Sequence, residues 1–101
     1  MDDWYLAASP EHQRKEKEAA RILRQSAWWK GQLGRGICYH CQKRFSPSEL
    51  TLDHLIPIAR GGKSTKKNCV PSCKACNTAK GSKTLAELAL SRLKMSRSEE
   101  D

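Results

Sequence analysis

The sequence contains little apolar material and no long hydrophobic run. Apolar residues make up 38% of the 101 residues, and no stretch approaches the roughly 20 consecutive apolar residues of a membrane-spanning helix. A single domain of this size buries too little surface to be robust by its apolar core alone. We therefore expect one domain without a membrane partner, stabilised by a further device such as disulfides or a metal.

The amino-terminal residues lack the pattern of a secretory leader. Residues 1–5 include Asp2 and Asp3, and no extended apolar segment follows them. Cysteines in a reducing compartment serve metal binding or catalysis more often than disulfides. We therefore expect a cytoplasmic protein whose five cysteines contribute to a metal site.

Acidic residues are missing from about a third of the chain. No Asp or Glu lies between Asp53 and Glu87, and the whole chain carries 19 Lys+Arg against 11 Asp+Glu, a net charge of +8. Positive charge concentrated in one segment is typical of a surface that binds the phosphates of a nucleic acid. The residues predicted to form this surface are Arg60, Lys63, Lys66, Lys67, Lys74, Lys80 and Lys83.

Four cysteines form two Cys-x2-Cys pairs, namely Cys38 with Cys41 and Cys73 with Cys76. Four thiolates in two such pairs are typical of a tetrahedral structural zinc site, whereas a redox motif needs only one pair. Residues 42–72 separate the pairs and exceed the roughly 15 to 20 residues of a simple zinc ribbon, so they form an insert. His40 is an alternative zinc ligand, and we expect Cys69 to be buried as a small apolar residue.

The local patterns predict the order helix, strand, strand, helix, helix. Ser9 and Pro10 are typical of a helix start, and Thr84-x-x-Glu87 forms a capping box. The predicted elements are a helix over 11–29, a strand that starts at 50 and stops at Pro57, a strand over 68–70, a helix over 73–80, and a last helix from 84 that frays from 96. Core packing, with base stacking as the alternative, is expected for Trp4, Tyr5, Trp28 and Trp29.

The insert and its flanks carry a set of motifs that resembles the HNH endonuclease family. These motifs are Leu52-Asp53-His54-Leu55-Ile56-Pro57, Arg60-Gly61-Gly62, Asn68, and Cys73-Lys74-Ala75-Cys76-Asn77 followed by Lys80. The resemblance covers residues 38–84, and Asn77 stands where the family name has its second His. It implies an α+β fold with a small ββα-metal (His-Me finger) core, a structural zinc site of four cysteines and flanking helices.

The resemblance also implies a role for each motif residue. His54 is the expected general base, Asp53 and Asn77 the ligands of a catalytic Mg²⁺ or Mn²⁺, and Asn68 the brace of the loop that orients the histidine. The chemistry agrees, because histidine titrates near neutrality and Mg²⁺ and Mn²⁺ prefer oxygen ligands. The resemblance places Asp53 and His54 at one site, whereas neighbours on a regular strand face opposite ways. It therefore implies that the strand ends or distorts near Asp53.

The expected organisation is a helical segment at 1–36, a nuclease core at 37–84, and a helix and tail at 85–101. The expected function is metal-dependent hydrolysis of double-stranded DNA with low sequence specificity, nicking included, by a monomer or homodimer. The HNN form resembles phage junction resolvases and intron-homing enzymes, and small free-standing members are often phage-encoded. Some of these members prefer manganese.

Two other interpretations remain open. A zinc-ribbon module that binds nucleic acid without cutting it would use the four cysteines and the basic segment, and would leave Asp53, His54 and Asn77 incidental. A junction resolvase would need a dimer that presents two sites.

Overall fold

The computed structural model describes residues 7–100, with side chains up to residue 93. It has an α+β fold, as the sequence predicts. The elements in chain order are α1 (Pro10–Arg24), α2 (Ala27–Gly34), β1 (Leu50–His54), β2 (Cys69–Cys73), α3 (Lys74–Lys80) and α4 (Leu85–Glu100). Single turns of 3-10 helix precede β1 at Pro47–Glu49, follow it at Ile58–Arg60, and precede β2 at Lys66–Asn68.

The first predicted helix is divided into two. Ser9 caps α1 as expected, because its side chain accepts a hydrogen bond from the backbone N–H of His12 at 3.1 Å. Ser26 caps α2 in the same way, accepting from the N–H of Trp29 at 3.2 Å while its hydroxyl donates to the carbonyl of Leu23 at 2.7 Å. The prediction of one continuous helix over 11–29 is therefore wrong, because a serine that caps a new helix ends the preceding one.

The two strands form an antiparallel sheet in which Leu50 pairs with Cys73 and His54 with Cys69. The second strand begins where the sequence suggests but extends to Cys73 and includes Pro71. A proline is tolerated there because each strand of a two-stranded sheet is an edge strand. This register places the end of β1 beside the start of β2.

Two small apolar clusters lie along one face of the sheet, since residues two apart on a strand, such as Leu50 and Leu52, point the same way. Trp29, Leu52 and Cys69 form one, and Cys38, Leu50 and Cys73 form the other. Burial raises the pKa of Cys69 to about 11, so this thiol stays neutral and behaves as the small apolar residue that we expect. Trp29 packs in the core as predicted, whereas Trp4 and Tyr5 lie outside the described residues.

The capping box of the last helix is present. The N–H of Thr84 donates to Glu87 Oε1 at 2.9 Å, and the N–H of Glu87 donates to Thr84 Oγ1 at 3.2 Å. The helix continues to Glu100, so the expected fraying from residue 96 is wrong for 96–100, and Asp101 lies outside the described residues. Among the described residues, no helix combines the length and apolar character needed to cross a bilayer.

Candidate active site and metal centre

The two cysteine pairs meet in space at one end of the sheet. The Sγ atoms of Cys38, Cys41, Cys73 and Cys76 all lie within 4.8 Å of one another. Four sulfurs at about 2.3 Å from a tetrahedral zinc would lie about 3.8 Å apart, so this cluster fits such an ion. Since Cys73 ends β2 and Cys76 lies in α3, a metal here would fix the angle between that strand and that helix.

The thiols of this cluster differ in acidity. Burial raises the pKa of Cys38, but hydrogen bonds from backbone N–H groups, including that of Cys73 at 3.4 Å, outweigh it and lower this pKa to about 6. Burial and the neighbouring thiols raise the pKa of Cys76 to about 12. Cys38 therefore forms a thiolate readily, whereas its neighbours oppose the formation of a second thiolate at Cys76. A divalent cation would relieve this repulsion between thiolates.

His40 lies inside the first knuckle but contacts the other site. Its Nε2 is 2.7 Å from Oδ2 of Asp53, and the two side chains are 4% and 6% exposed. A carboxylate oxygen accepts, so Nε2 of His40 donates this hydrogen bond. The alternative of His40 as a zinc ligand gains no support from this geometry. Sequence reasoning missed the contact, because 13 residues separate the partners and no local motif joins them.

Lys80 is buried, in contrast to the exposed phosphate contact that the sequence suggests. Its side chain is 1% exposed, and Nζ donates to the backbone carbonyl of His54 at 2.8 Å and lies 3.4 Å from Oδ1 of Asp53. A buried ammonium requires such partners, because its desolvation is otherwise very costly. Lys80 therefore fixes the end of β1 instead of extending into solvent.

Three of the four residues expected to perform catalysis, namely Asp53, His54 and Asn77, border one cavity of about 210 Å³, and Asn68 does not border it. It is bordered by Asp53 and His54 at the end of β1 and by Asn77 and Lys80 on α3, with further walls from Leu52, Pro57, Ile58 and Gly81. The strand ends at His54, as expected, and the neighbouring Asp53 and His54 side chains make different contacts while both border the cavity.

His54 is half-buried, and its Nε2 lies 2.9 Å from the hydroxyl of Ser64. Burial is the largest influence on this imidazole and lowers its pKa below the ordinary value. The ring is therefore neutral near pH 7, which is the state that can accept a proton.

Asn68 braces the connection between the strands, and its side-chain hydrogen bonds go to the loop and not to the histidine. Its Oδ1 accepts from the N–H of Ile56 at 2.8 Å, and its Nδ2 donates to the carbonyls of Ile56 at 3.0 Å and Lys63 at 2.8 Å. The side chain hydrogen-bonded to the His54 ring is that of Ser64, a residue that sequence reasoning missed.

The oxygen donors at the cavity suit a hard cation. The amide nitrogen of Asn77 donates a long hydrogen bond of 3.4 Å to Thr51 Oγ1. This nitrogen cannot bind a cation, whereas the amide oxygen of the same side chain can. The carboxylate of Asp53 borders the same cavity. One carboxylate and one amide oxygen fit a Mg²⁺ or Mn²⁺ ion that keeps several waters.

Six of the seven basic residues singled out in the acid-free segment are exposed. Arg60 forms an ion pair with Glu87 at 3.0 Å, and Lys66 Nζ lies 5.9 Å from the centre of the Trp28 ring. The exposed set consists of Arg60, Lys63, Lys66, Lys67, Lys74 and Lys83.

Comparison with known families agrees with the geometry of the cavity and of the cysteine cluster. A family model described as HNH endonuclease matches residues 38–92, which is more than half of the chain and includes both cysteine pairs and the whole cavity. No curated protein matches the chain. The chain belongs to the HNH endonuclease family.

Proposed function

We propose that this protein is a metal-dependent endonuclease that hydrolyses phosphodiester bonds of double-stranded DNA. The observation that carries the proposal is the single cavity bordered by Asp53, His54 and Asn77. It holds a neutral imidazole, a carboxylate and an amide, which are the groups needed to deprotonate water and to hold a cation at a phosphate. Membership of a family of DNA endonucleases supports the same activity.

His54 is the proposed general base. It takes a proton from a water molecule, and the electron pair of that water oxygen forms the new bond to phosphorus. The bond from phosphorus to the leaving oxygen breaks, and this oxygen takes a proton from solvent. The lowered pKa of His54, caused mainly by burial, keeps the base free of a proton near neutral pH.

Asp53 and Asn77 are the proposed ligands of Mg²⁺ or Mn²⁺. When bound, the ion would stabilise the charge that develops on the phosphate and on the leaving oxygen. His40 and Lys80 orient the Asp53 carboxylate from two sides, at 2.7 and 3.4 Å. Asn68, which ties Ile56 to Lys63, keeps the loop after His54 in place.

The cysteine cluster is proposed to hold a structural Zn²⁺. Asn77 directly follows Cys76 in α3, so a metal that fixes this helix also fixes the amide at the cavity. Zinc would thereby contribute to the geometry of the active site without taking part in the reaction.

DNA binding is proposed for the exposed basic residues of the acid-free segment. Contacts from lysines and arginines to phosphates are independent of base sequence, so we expect low sequence specificity. The same proposal includes nicking of one strand, a cytoplasmic location and a phage origin. It also includes a monomeric or homodimeric state.

A labelled duplex tests the proposal against the alternative of a zinc-ribbon module that only binds. Each strand of a DNA duplex carries a different fluorophore, and the protein is incubated with Mn²⁺, Mg²⁺ or EDTA. Metal-dependent product on either strand supports the nuclease, and product on one strand at early times supports nicking. A gel shift without product under all three conditions would favour the binding module.

A further inference from the structure

Helix α1 lies outside the residues 38–92 that match the family model, but it is hydrogen-bonded to the loop that joins β1 to β2. Residues 8, 12 and 16 make these bonds. Because they are spaced four residues apart, they lie on one side of α1 and of the residues just before it. The pairs are Ala8 N–H with the Ala59 carbonyl at 2.8 Å, His12 Nε2 with the Gly62 carbonyl at 2.9 Å, and Glu16 Oε1 with the Ser64 N–H at 2.6 Å.

Glu16 makes two contacts with Ser64. Its buried carboxylate accepts from the backbone N–H of Ser64, and its backbone carbonyl accepts from the Ser64 hydroxyl at 2.6 Å. A carboxylate is rarely buried without such a partner, because its desolvation is costly. The main chain and the side chain of Ser64 are thus both fixed by one residue of α1.

The direction of these hydrogen bonds determines which nitrogen of His54 carries hydrogen. A backbone carbonyl only accepts, so Ser64 must use its single hydroxyl hydrogen on Glu16. Towards the imidazole, 2.9 Å away, the Ser64 oxygen can therefore only accept. Nε2 of a neutral His54 must then carry the hydrogen, which leaves the lone pair on Nδ1.

We propose that α1 sets the tautomer of His54 through Glu16 and Ser64, so that Nδ1 is the atom that takes the proton from water. Ser64 and Glu16 are positioning residues, since neither borders the cavity. The inference deepens the proposed function and rests on it for the role of Nδ1. On this proposal, helix α1, which precedes the residues that match the family model, contributes to the function of the active site.

The tautomer is measured directly by NMR. Two-bond ¹⁵N–¹H correlation of the imidazoles in the full-length, zinc-loaded protein, at about pH 8, where an ordinary histidine is neutral, identifies the protonated nitrogen of His54. We expect the Nε2–H form in the wild type, a mixture of both forms in Ser64→Ala, and a return to Nε2–H in Ser64→Thr, which keeps a hydroxyl. The Nδ1–H form in the wild type would overturn the proposal.

Cleavage kinetics provide the second measurement. In Ser64→Ala, kcat is expected to fall about 10-fold, by analogy with the scale for loss of a group that orients a metal-ligating histidine, with KM unchanged and with recovery in Ser64→Thr. His12→Ala is the matched control, because it removes a contact between α1 and the same loop without touching Ser64. An equal loss of kcat in His12→Ala and Ser64→Ala would show general loosening of the loop and overturn the specific role.

The NMR result separates this inference from the proposed nuclease activity. A wild-type protein that shows the Nε2–H form, gives a mixture of both forms in Ser64→Ala and cleaves no DNA would support the contact and reject the nuclease. A protein that cleaves DNA with His54 in the Nδ1–H form would support the nuclease and reject the contact.

Discussion

His40 and Asp53 form a buried hydrogen bond of 2.7 Å that links the first cysteine knuckle to the candidate active-site cavity. His40 lies between Cys38 and Cys41 in the chain, so a metal that orders this knuckle also orders the donor to Asp53. The structural site and the candidate catalytic site are therefore connected through one side chain.

Replacing His40 should weaken the catalytic metal site more than the zinc site. In His40→Ala, the Mn²⁺ concentration that gives half-maximal cleavage should rise about 10-fold or more, because groups that orient a ligating carboxylate affect metal affinity on this scale. Zinc content, measured by atomic absorption, should stay at one per chain if four cysteines suffice. An unchanged Mn²⁺ dependence would contradict this role, and loss of zinc would make His40 part of the cysteine site.

Removal of zinc should unfold the domain. The apolar clusters are small, and a zinc ion bound by the four cysteines would supply folding free energy that they lack. We expect loss of the cooperative thermal transition, followed by circular dichroism, when a strong chelator has removed the zinc, and recovery when zinc is added back. The same transition at the same temperature after verified removal would contradict this expectation.

Lys80 and Lys74 should respond differently to substitution although both lie on α3. Lys80→Ala leaves Asp53 without its buried cationic neighbour, so the free energy of unfolding should fall by about 3 kcal/mol in a urea titration. Lys74 is exposed, so Lys74→Ala should leave stability unchanged and should lower the salt dependence of DNA binding by about one phosphate contact. A Lys80→Ala protein of wild-type stability would contradict the structural role of this ammonium.

Gly62 should tolerate no side chain. A Cβ at this position would overlap sterically with the carbonyl oxygen of Ile56, in the loop that Asn68 braces. Gly62→Ala should therefore lower the melting temperature and the cleavage rate together. Gly31→Ala is the control, because open space surrounds that helical position and alanine there should stabilise the protein by up to about 1 kcal/mol. Equal melting temperatures for the two variants would contradict the close approach at Gly62.

Features with local causes can be predicted from the sequence. The paired cysteines, the start of α1 at Ser9 and the capping box at Thr84 all follow from short motifs, and the structure contains each of them. The end of β1 near Asp53 is an expectation from the family resemblance, and the strand does end at His54. The break before α2 escapes prediction, because Ser26 is equally compatible with an exposed position within a helix.

Features that depend on distant residues cannot be predicted in this way. The contact of Glu16 with Ser64 joins residues 48 positions apart, and that of His40 with Asp53 joins residues 13 apart. Lys80 resembles its exposed basic neighbours in the sequence, and only the packing of α3 against β1 shows that it is buried. Residue type and spacing identify the candidate groups for the chemistry, whereas the tertiary fold determines which groups contact and orient them.

Cleavage of supercoiled plasmid by the wild type and by His54→Ala tests the nuclease proposal most directly. Both proteins are first shown to have equal zinc content and equal thermal transitions, and each is then incubated with Mn²⁺, Mg²⁺ or EDTA. We predict open circles or linear DNA with the wild type and a divalent ion, none with EDTA, and at least a roughly 100-fold slower reaction in His54→Ala, the scale for loss of a general base. Equal cleavage by both proteins, or intact plasmid with every metal while a gel shift persists, would contradict the proposal.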